Sequence, residues 1–464
     1  MTHLLALWLS FMLIGSPEEH AEPFESAAAS DDDQDTPGVD PGAVEVSSTE
    51  APPAAVEQPA VSTAPEPVES EPSEPSEPSE LRVDASETSA GTGWPSRRAR
   101  STTGPWIPQR WPVEQPCTLD HERKTCLTIQ GEVFTGYRYG STGGDVGSQF
   151  VLDRAEVGTG LLWRPVERFH GGLVTAVEAV RSAGPQSLIG VDGDSLVVRM
   201  LEAYGHGAIA LGPIDIGARF GLVPERWIEQ IEKGYDTRGI DALSSDRLFF
   251  DRSDLGATVT VSGWKGLVEL DLAFVNGEGR AQRELNLGKN TTAILTVRPL
   301  QRQLPRGPMT LAFHGSYRDG SIGVASVRNH RAAAATTFAS PWAYAGFEFV
   351  HAIGFDGQPS RRTHAVGVWA SGHVIAPYLG LMAKYDRIDQ DLQVSDAVAH
   401  LLTAAVFSDA FGYLDRNRRR LRLYLGYQHE AYGAMAGPLV GTPAASTTHR
   451  VLVQLQARGL HRLF

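Results

Sequence analysis

Between Val223 and Asp254 the chain carries an insert crowded with charge. Its acids within Glu225–Asp254 are Glu225, Glu229, Glu232, Asp236, Asp241, Asp246, Asp251 and Asp254, and its bases are Arg226, Lys233, Arg238, Arg247 and Arg252. Bond-breaking chemistry needs a nucleophile, a base and an orienting group at matched positions. Nothing here supplies them: Ser244-Ser245-Asp246 has no motif context, and His314, His330, His364 and His373 fall in separate segments. An enzyme is therefore not expected, although a fold alone excludes no chemistry. Fixed charges facing one another across a gap can instead sort solutes by sign. The candidates for that role are Arg219, Arg226, Lys233, Arg238, Arg247, Arg252, Asp215 and Glu229, with Arg219, at the mouth of the insert, the leading wall residue. A mixed-sign set of this kind makes a transverse field and a poor dedicated anion trap. Cys117 and Cys126, with eight residues between them, suit a disulfide in an oxidising compartment. His121 is the only other zinc-type ligand near them, so neither a metal nor a cofactor is expected.

The elements that must hold these charges are strands. Val451, Val453, Leu455 and Ala457 alternate with Leu452, Gln454, Gln456 and Arg458, and Leu421, Leu423, Leu425 and Tyr427 alternate with Arg422, Tyr424, Gly426 and Gln428. Period two gives one apolar and one polar face. Similar segments recur from about residue 127 onward, among them 154–164, 173–179, 196–206, 214–222, 255–261, 268–274, 292–297, 309–317, 322–336, 344–351, 363–375, 379–388, 398–413 and 420–432. Arg318-Asp319-Gly320-Ser321 and Leu414-Asp415-Arg416-Asn417 read as tight links between antiparallel neighbours. The fold class is all-β, a transmembrane antiparallel barrel of about sixteen strands, with both termini on the periplasmic side. Strand parity then puts the insert, after the fifth strand, at the extracellular end, where its own Trp227, Ile228 and Ile231 need a surface to pack against. Folding inward onto the barrel wall would supply one. Glu132, Arg138, Arg154, Glu156, Asp215, Arg219, Glu269, Asp271, Arg422, Arg450 and Arg458 fall on the lumen side. Inward placement is forced, because Arg or Lys facing lipid near the midplane costs about 2–4 kcal/mol.

Composition divides the 464 residues. The net charge of −14 comes from the start of the chain: residues 1–96 hold twenty acids against one base, leaving 35 acids and 40 bases for the rest. Residues 1–20 read as a signal peptide with an apolar run from Leu4 to Ile14. Residues 21–116, with the tandem Glu-Pro-Ser repeat at 71–80, read as a disordered periplasmic spacer. Residues 117–464 make the barrel, with a constriction loop at about 223–254. No apolar stretch is long enough to cross a bilayer as a helix, and no basic block suggests nucleic acid.

At this point the residues resemble a known family. Glu202-Ala203-Tyr204, the segment Gly217 to Glu225, the segment Ala273 to Gly279, and Ala383-Lys384-Tyr385-Asp386 are similar to the general and phosphate-selective porins of the porin O and P type, in divergent form, over about residues 128–464. The resemblance implies sixteen-stranded homotrimers of the bacterial outer membrane, surrounded by lipid bilayer and lipopolysaccharide. It also implies passive diffusion of small hydrophilic solutes or anions past a third extracellular loop. Two departures stand out: the insert is of mixed sign, and Phe464 lies off the lipid-facing parity that reaches Gly459. The alternative function is a non-conducting barrel serving as an adhesin or periplasmic tether.

Overall fold

The computed structural model describes residues 125–463, apart from 143, 167, 182–195, 278–287, 305–306, 323–326, 356–357, 377, 410–418 and 437–446. The signal peptide, the acidic spacer, Cys117, the Leu414–Asn417 link, Glu278, Gly279 and Phe464 lie outside the described residues.

The first strands are β1 (Thr125–Thr142), β2 (Asp145–Val166), β3 (Phe169–Arg181), β4 (Leu196–Leu211), β5 (Ile214–Pro224), β6 (Ser253–Gly263), β7 (Val268–Val275), β8 (Asn290–Leu304) and β9 (Gly307–Asp319). A small hairpin follows, β10 (Ser321–Ile322) with β11 (Val327–Arg328). Then come β12 (His330–Ala339), β13 (Ala343–Ile353), β14 (Arg362–Ile375), β15 (Leu379–Asp389), β16 (Val398–Ser408), β17 (Arg419–Tyr432) and β18 (Thr447–Leu463). All but β10 and β11 join one closed barrel of sixteen strands, with β1 sealing against β18 from Leu127↔Leu463 to Thr142↔Thr448. Closure removes every sheet edge, which is what allows strands to cross a bilayer.

Alternation decides which side of each strand meets lipid. On β17 and β18, Leu423, Leu425, Tyr427, Val451 and Val453 point outward, while Arg422, Tyr424, Leu452, Gln454 and Gln456 are buried within. On β1 and β2, Val133 and Val157 face out and Glu132 and Glu156 face in. A large apolar surface turned out around a polar interior is the signature of a transmembrane barrel of the bacterial outer membrane. No helix among the described residues is long and apolar enough to span a membrane. One barrel end has short links, such as Gly212-Pro213, where Gly212 takes the positive φ of 67° that the turn requires. The opposite end carries the longer connections, including residues 225–252 between β5 and β6.

The strand reading needs four corrections. The segment expected as one strand over 322–336 is split: Asn329 N–H donates to Gly320 O, Asn290 Oδ1 accepts from Ser321 N–H, and Ser321–Ile322 pairs with Val327–Arg328 apart from the barrel. Arg318 to Ser321 is consequently no tight link between barrel strands. The strand expected to run on to 413 ends at Ser408. Cys126 lies inside β1, fully buried and disulfide-bonded, and not ahead of the first strand. Finally, β18 continues four residues beyond Gly459 to Leu463, held by its register with β1.

Candidate functional site

Pro224 closes β5, and the chain turns inward. The Glu225 carboxylate accepts from Trp227 N–H at 3.2 Å, capping the short helix α1 (Arg226–Glu232). Helical spacing sets Trp227, Ile228 and Ile231 on one buried face, joined by Tyr235, Leu243, Phe249 and Phe250. They pack on the inner wall of the strands from β12 to β16, against Ala333, Ala335, Val350, Ala352, Ala365, Trp369, Ile388, Ala399 and Leu401. Each large side chain buried this way contributes about 1.5–3 kcal/mol, so the loop has its own core inside the barrel. Trp369 Nε1 donates to Gly234 O at 2.8 Å. Gly234 is needed there: a Cβ would come within 2.5 Å of the Thr337 side chain.

The loop's charges form two fastenings. On one side Arg219 of β5 pairs with Glu229 at 2.8 Å, while Arg226 contacts Glu229 and reaches Glu269 at 2.9 Å and Asp271 at 2.7 Å on β7. Arg298 of β8 bonds Glu269 and Gln230, Lys233 Nζ donates to Gln230 at 2.6 Å, and Arg318 of β9 meets Glu225. Burial opposes the charged form of Glu229, but Arg219 and Arg226 outweigh it and hold the carboxyl down to about 2. Burial pulls Lys233 down to about 8, with Glu269 resisting.

On the other side Arg422 of β17 grips Asp409 at 2.6 and 2.8 Å and Asp236 at 3.0 Å. Asp241 meets Lys384 of β15 at 3.5 Å, accepts from Thr403 of β16 at 2.7 Å, and contacts Arg247. Burial raises Asp236 despite Arg422; for Asp241 burial acts the same way, yet Lys384 and Arg247 prevail and lower it. Arg238 reaches Glu132 and, at 3.3 Å, Glu156. Ser244 and Ser245 N–H groups donate to Glu348 of β13. The loop thus touches wall strands on opposite sides of the barrel and crosses its interior.

Between the loop and the wall formed by β1, β2, β17 and β18 lies a cavity of about 230 Å³. Arg138, Arg154, Arg238, Arg247, Arg252 and Arg450 line it, against Asp153, Asp241 and Glu430. The three carboxylates already have cationic partners in Arg138, Arg247 and Arg450. Arginines outnumber carboxylates on the lining, and Arg154, Arg238 and Arg252 are paired in turn with Glu156, Glu132 and Asp246 behind it.

The sequence candidates therefore separate. Arg238, Arg247 and Arg252 line the cavity, whereas Arg219, Arg226, Glu229 and Lys233 lie in the buried fastening on the far side of the loop. Arg219, the leading wall candidate, has a side chain with no exposure at all. Asp215 sits near the short-link end of β5, apart from both groups. Arg138, Arg154 and Arg450 were legible as inward charges but not as neighbours of the loop. The apolar inner wall was missed; its signal was the small-residue run at Ala332–Ala335 within a lumen-facing strand. Among the described residues no three His, Cys, Asp or Glu side chains converge as a metal cage.

No protein-family model matches the chain, and no curated protein matches it by sequence. Solved structures do resemble it. The anion-selective porin from Comamonas acidovorans aligns with 73% of this chain and 100% of its own, at 12% identity and a TM-score of 0.47. Salmonella typhi OmpF in complex with daunomycin aligns with 71% and 97%, at 12% identity and 0.49. Pseudomonas aeruginosa OpdQ aligns with 73% and 98%, at 10% identity and 0.40. The likeness is one of barrel architecture.

Proposed function

We propose that the chain is a passive outer-membrane channel whose lumen is narrowed by residues 225–252 and biased toward small anions. The observation that carries this reading is the set of six arginines around the cavity beside the loop, against three carboxylates that are already paired. Charged rings at a constriction set ion preference. Glu225, Glu229 and Asp236 are drawn away from the cavity into the fastenings, so a mixed-sign loop leaves more arginines than carboxylates on the cavity lining. Small hydrophilic anions, inorganic phosphate among them, are the solute class. The homotrimer and the lipopolysaccharide contacts implied by the porin O and P resemblance belong to the same proposal.

The test is a planar-bilayer recording in a potassium chloride gradient. Wild-type protein should give a reversal potential of anion-selective sign, and the double variant Arg247→Gln with Arg450→Gln should move it toward cations. An unchanged potential would remove these arginines from the selectivity mechanism. A folded protein without conductance would favour the adhesin or tether reading.

A further inference from the structure

On the outer surface of the barrel, near its loop end, three donor atoms converge. His429 and His449 stand directly opposite each other on β17 and β18, with ring centroids 4.6 Å apart and Nδ1 atoms at 3.2 Å. The Tyr427 hydroxyl lies 2.7 Å from the same His449 Nδ1. An imidazole nitrogen offers either one lone pair or one N–H. His449 Nδ1 can therefore satisfy one of its two neighbours and not both. If both nitrogens are unprotonated, two lone pairs face each other at 3.2 Å.

A cation between them removes the conflict. Zinc–imidazole bonds of about 2.0–2.1 Å place two ligating nitrogens about 3.2 Å apart when the angle at the metal is about 100°. The spacing of the two imidazoles fits a tetrahedral site, and the Tyr427 oxygen, now 2.7 Å from His449 Nδ1, joins it by swinging out to about 3.3 Å; imidazole ligands suit zinc, copper and nickel. A neighbouring strand pair provides an internal control. Tyr385 donates or accepts at 2.8 Å with His400 Nδ1, but the residue opposite His400 on β17 is Ala431. Among the described residues that histidine has one hydrogen-bonding neighbour, Tyr385, and no conflict.

We propose that His429 and His449, with Tyr427 as an oxygen ligand, bind a divalent first-row transition-metal ion at the outer rim of the barrel. The ion ties β17 to β18 on the outer surface, close to where the loop between them departs.

Full-length barrel refolded in detergent should be titrated with zinc chloride by calorimetry. One zinc should bind per chain. His429→Ala and His449→Ala should each weaken binding at least about tenfold, since even outer partners of a metal ligand carry about 10–100-fold. His429→Gln keeps a polar side chain, guards against misfolding, and should bind as weakly as His429→Ala. Tyr427→Phe should cost less than either, and His400→Ala should change nothing. Cobalt(II) should give the intense visible absorption of a tetrahedral site in wild type and lose it in both histidine variants. Failure of wild-type protein to take up zinc, or full affinity in the His429 and His449 variants, would overturn the assignment.

Discussion

Arg219 and Arg247 carry the same charge and differ in what surrounds it. Arg219 is sealed against Glu229, whereas Arg247 borders the open cavity and shares Asp241 with Lys384. Breaking a buried pair from one side costs about 3–5 kcal/mol, because the remaining charge stays buried without that partner. Arg219→Ala should therefore lower the urea midpoint of unfolding in detergent while leaving the reversal potential of surviving channels close to wild type. Arg247→Ala should do the reverse. Adjacent residues on β17 give a second contrast. Leu423→Arg places a charge in lipid at a cost of about 2–4 kcal/mol. Arg422→Leu is also costly, since it takes the guanidinium away from Asp236 and leaves Asp409 with His373. pH separates the two. Burial already raises Asp236, and loss of Arg422 raises it further. As pH falls through that value the carboxyl takes up a proton and its buried charge vanishes, so the Arg422→Leu defect should shrink in acid while the Leu423→Arg defect persists. Equal pH dependence of the two midpoints would reject this assignment of faces and partners.

The element that distinguishes this barrel is the inward loop, whose apolar side requires a wall of small side chains. Ala352 has no exposure, and Ala335 is almost as buried, in the cluster that includes Trp227 and Ile231. Ala352→Phe overfills that contact, at a typical cost of about 1–3 kcal/mol, and should loosen the loop without touching the hydrogen bonds of the barrel. Deleting about residues 232–246 should have a larger effect in the same direction, raising single-channel conductance. Unchanged conductance in the deletion variant would place the conducting path away from the loop. The insert itself and the partly helical spacing of Trp227, Ile228 and Ile231 were legible in the sequence. Its partners were not. Period two identifies a strand's faces but not the strand it pairs with, which is why Ile322 joined a local hairpin and not the barrel. Nor does alternation say which of many inward charges face the loop. Arg138 and Arg450 are far apart in sequence and reach the same cavity only after β1 closes on β18.

For the molecule as a whole, the summed charge of −14 says little about the channel, since the acidic residues concentrate before residue 97. What matters is the local field in a narrow space, where six arginines meet three paired carboxylates. Screening provides a direct control on that idea. At 1 M salt the Debye length is about 3 Å, against about 10 Å at 0.1 M, so selectivity from these charges should fade as salt rises. The most direct measurement is the reversal potential of the wild-type protein across a planar bilayer in a tenfold potassium chloride gradient, taken at low and at high mean salt. Conducting channels with an anion-selective potential that shrinks at high salt are expected. Open channels with a cation-selective potential at low salt would contradict the anion bias.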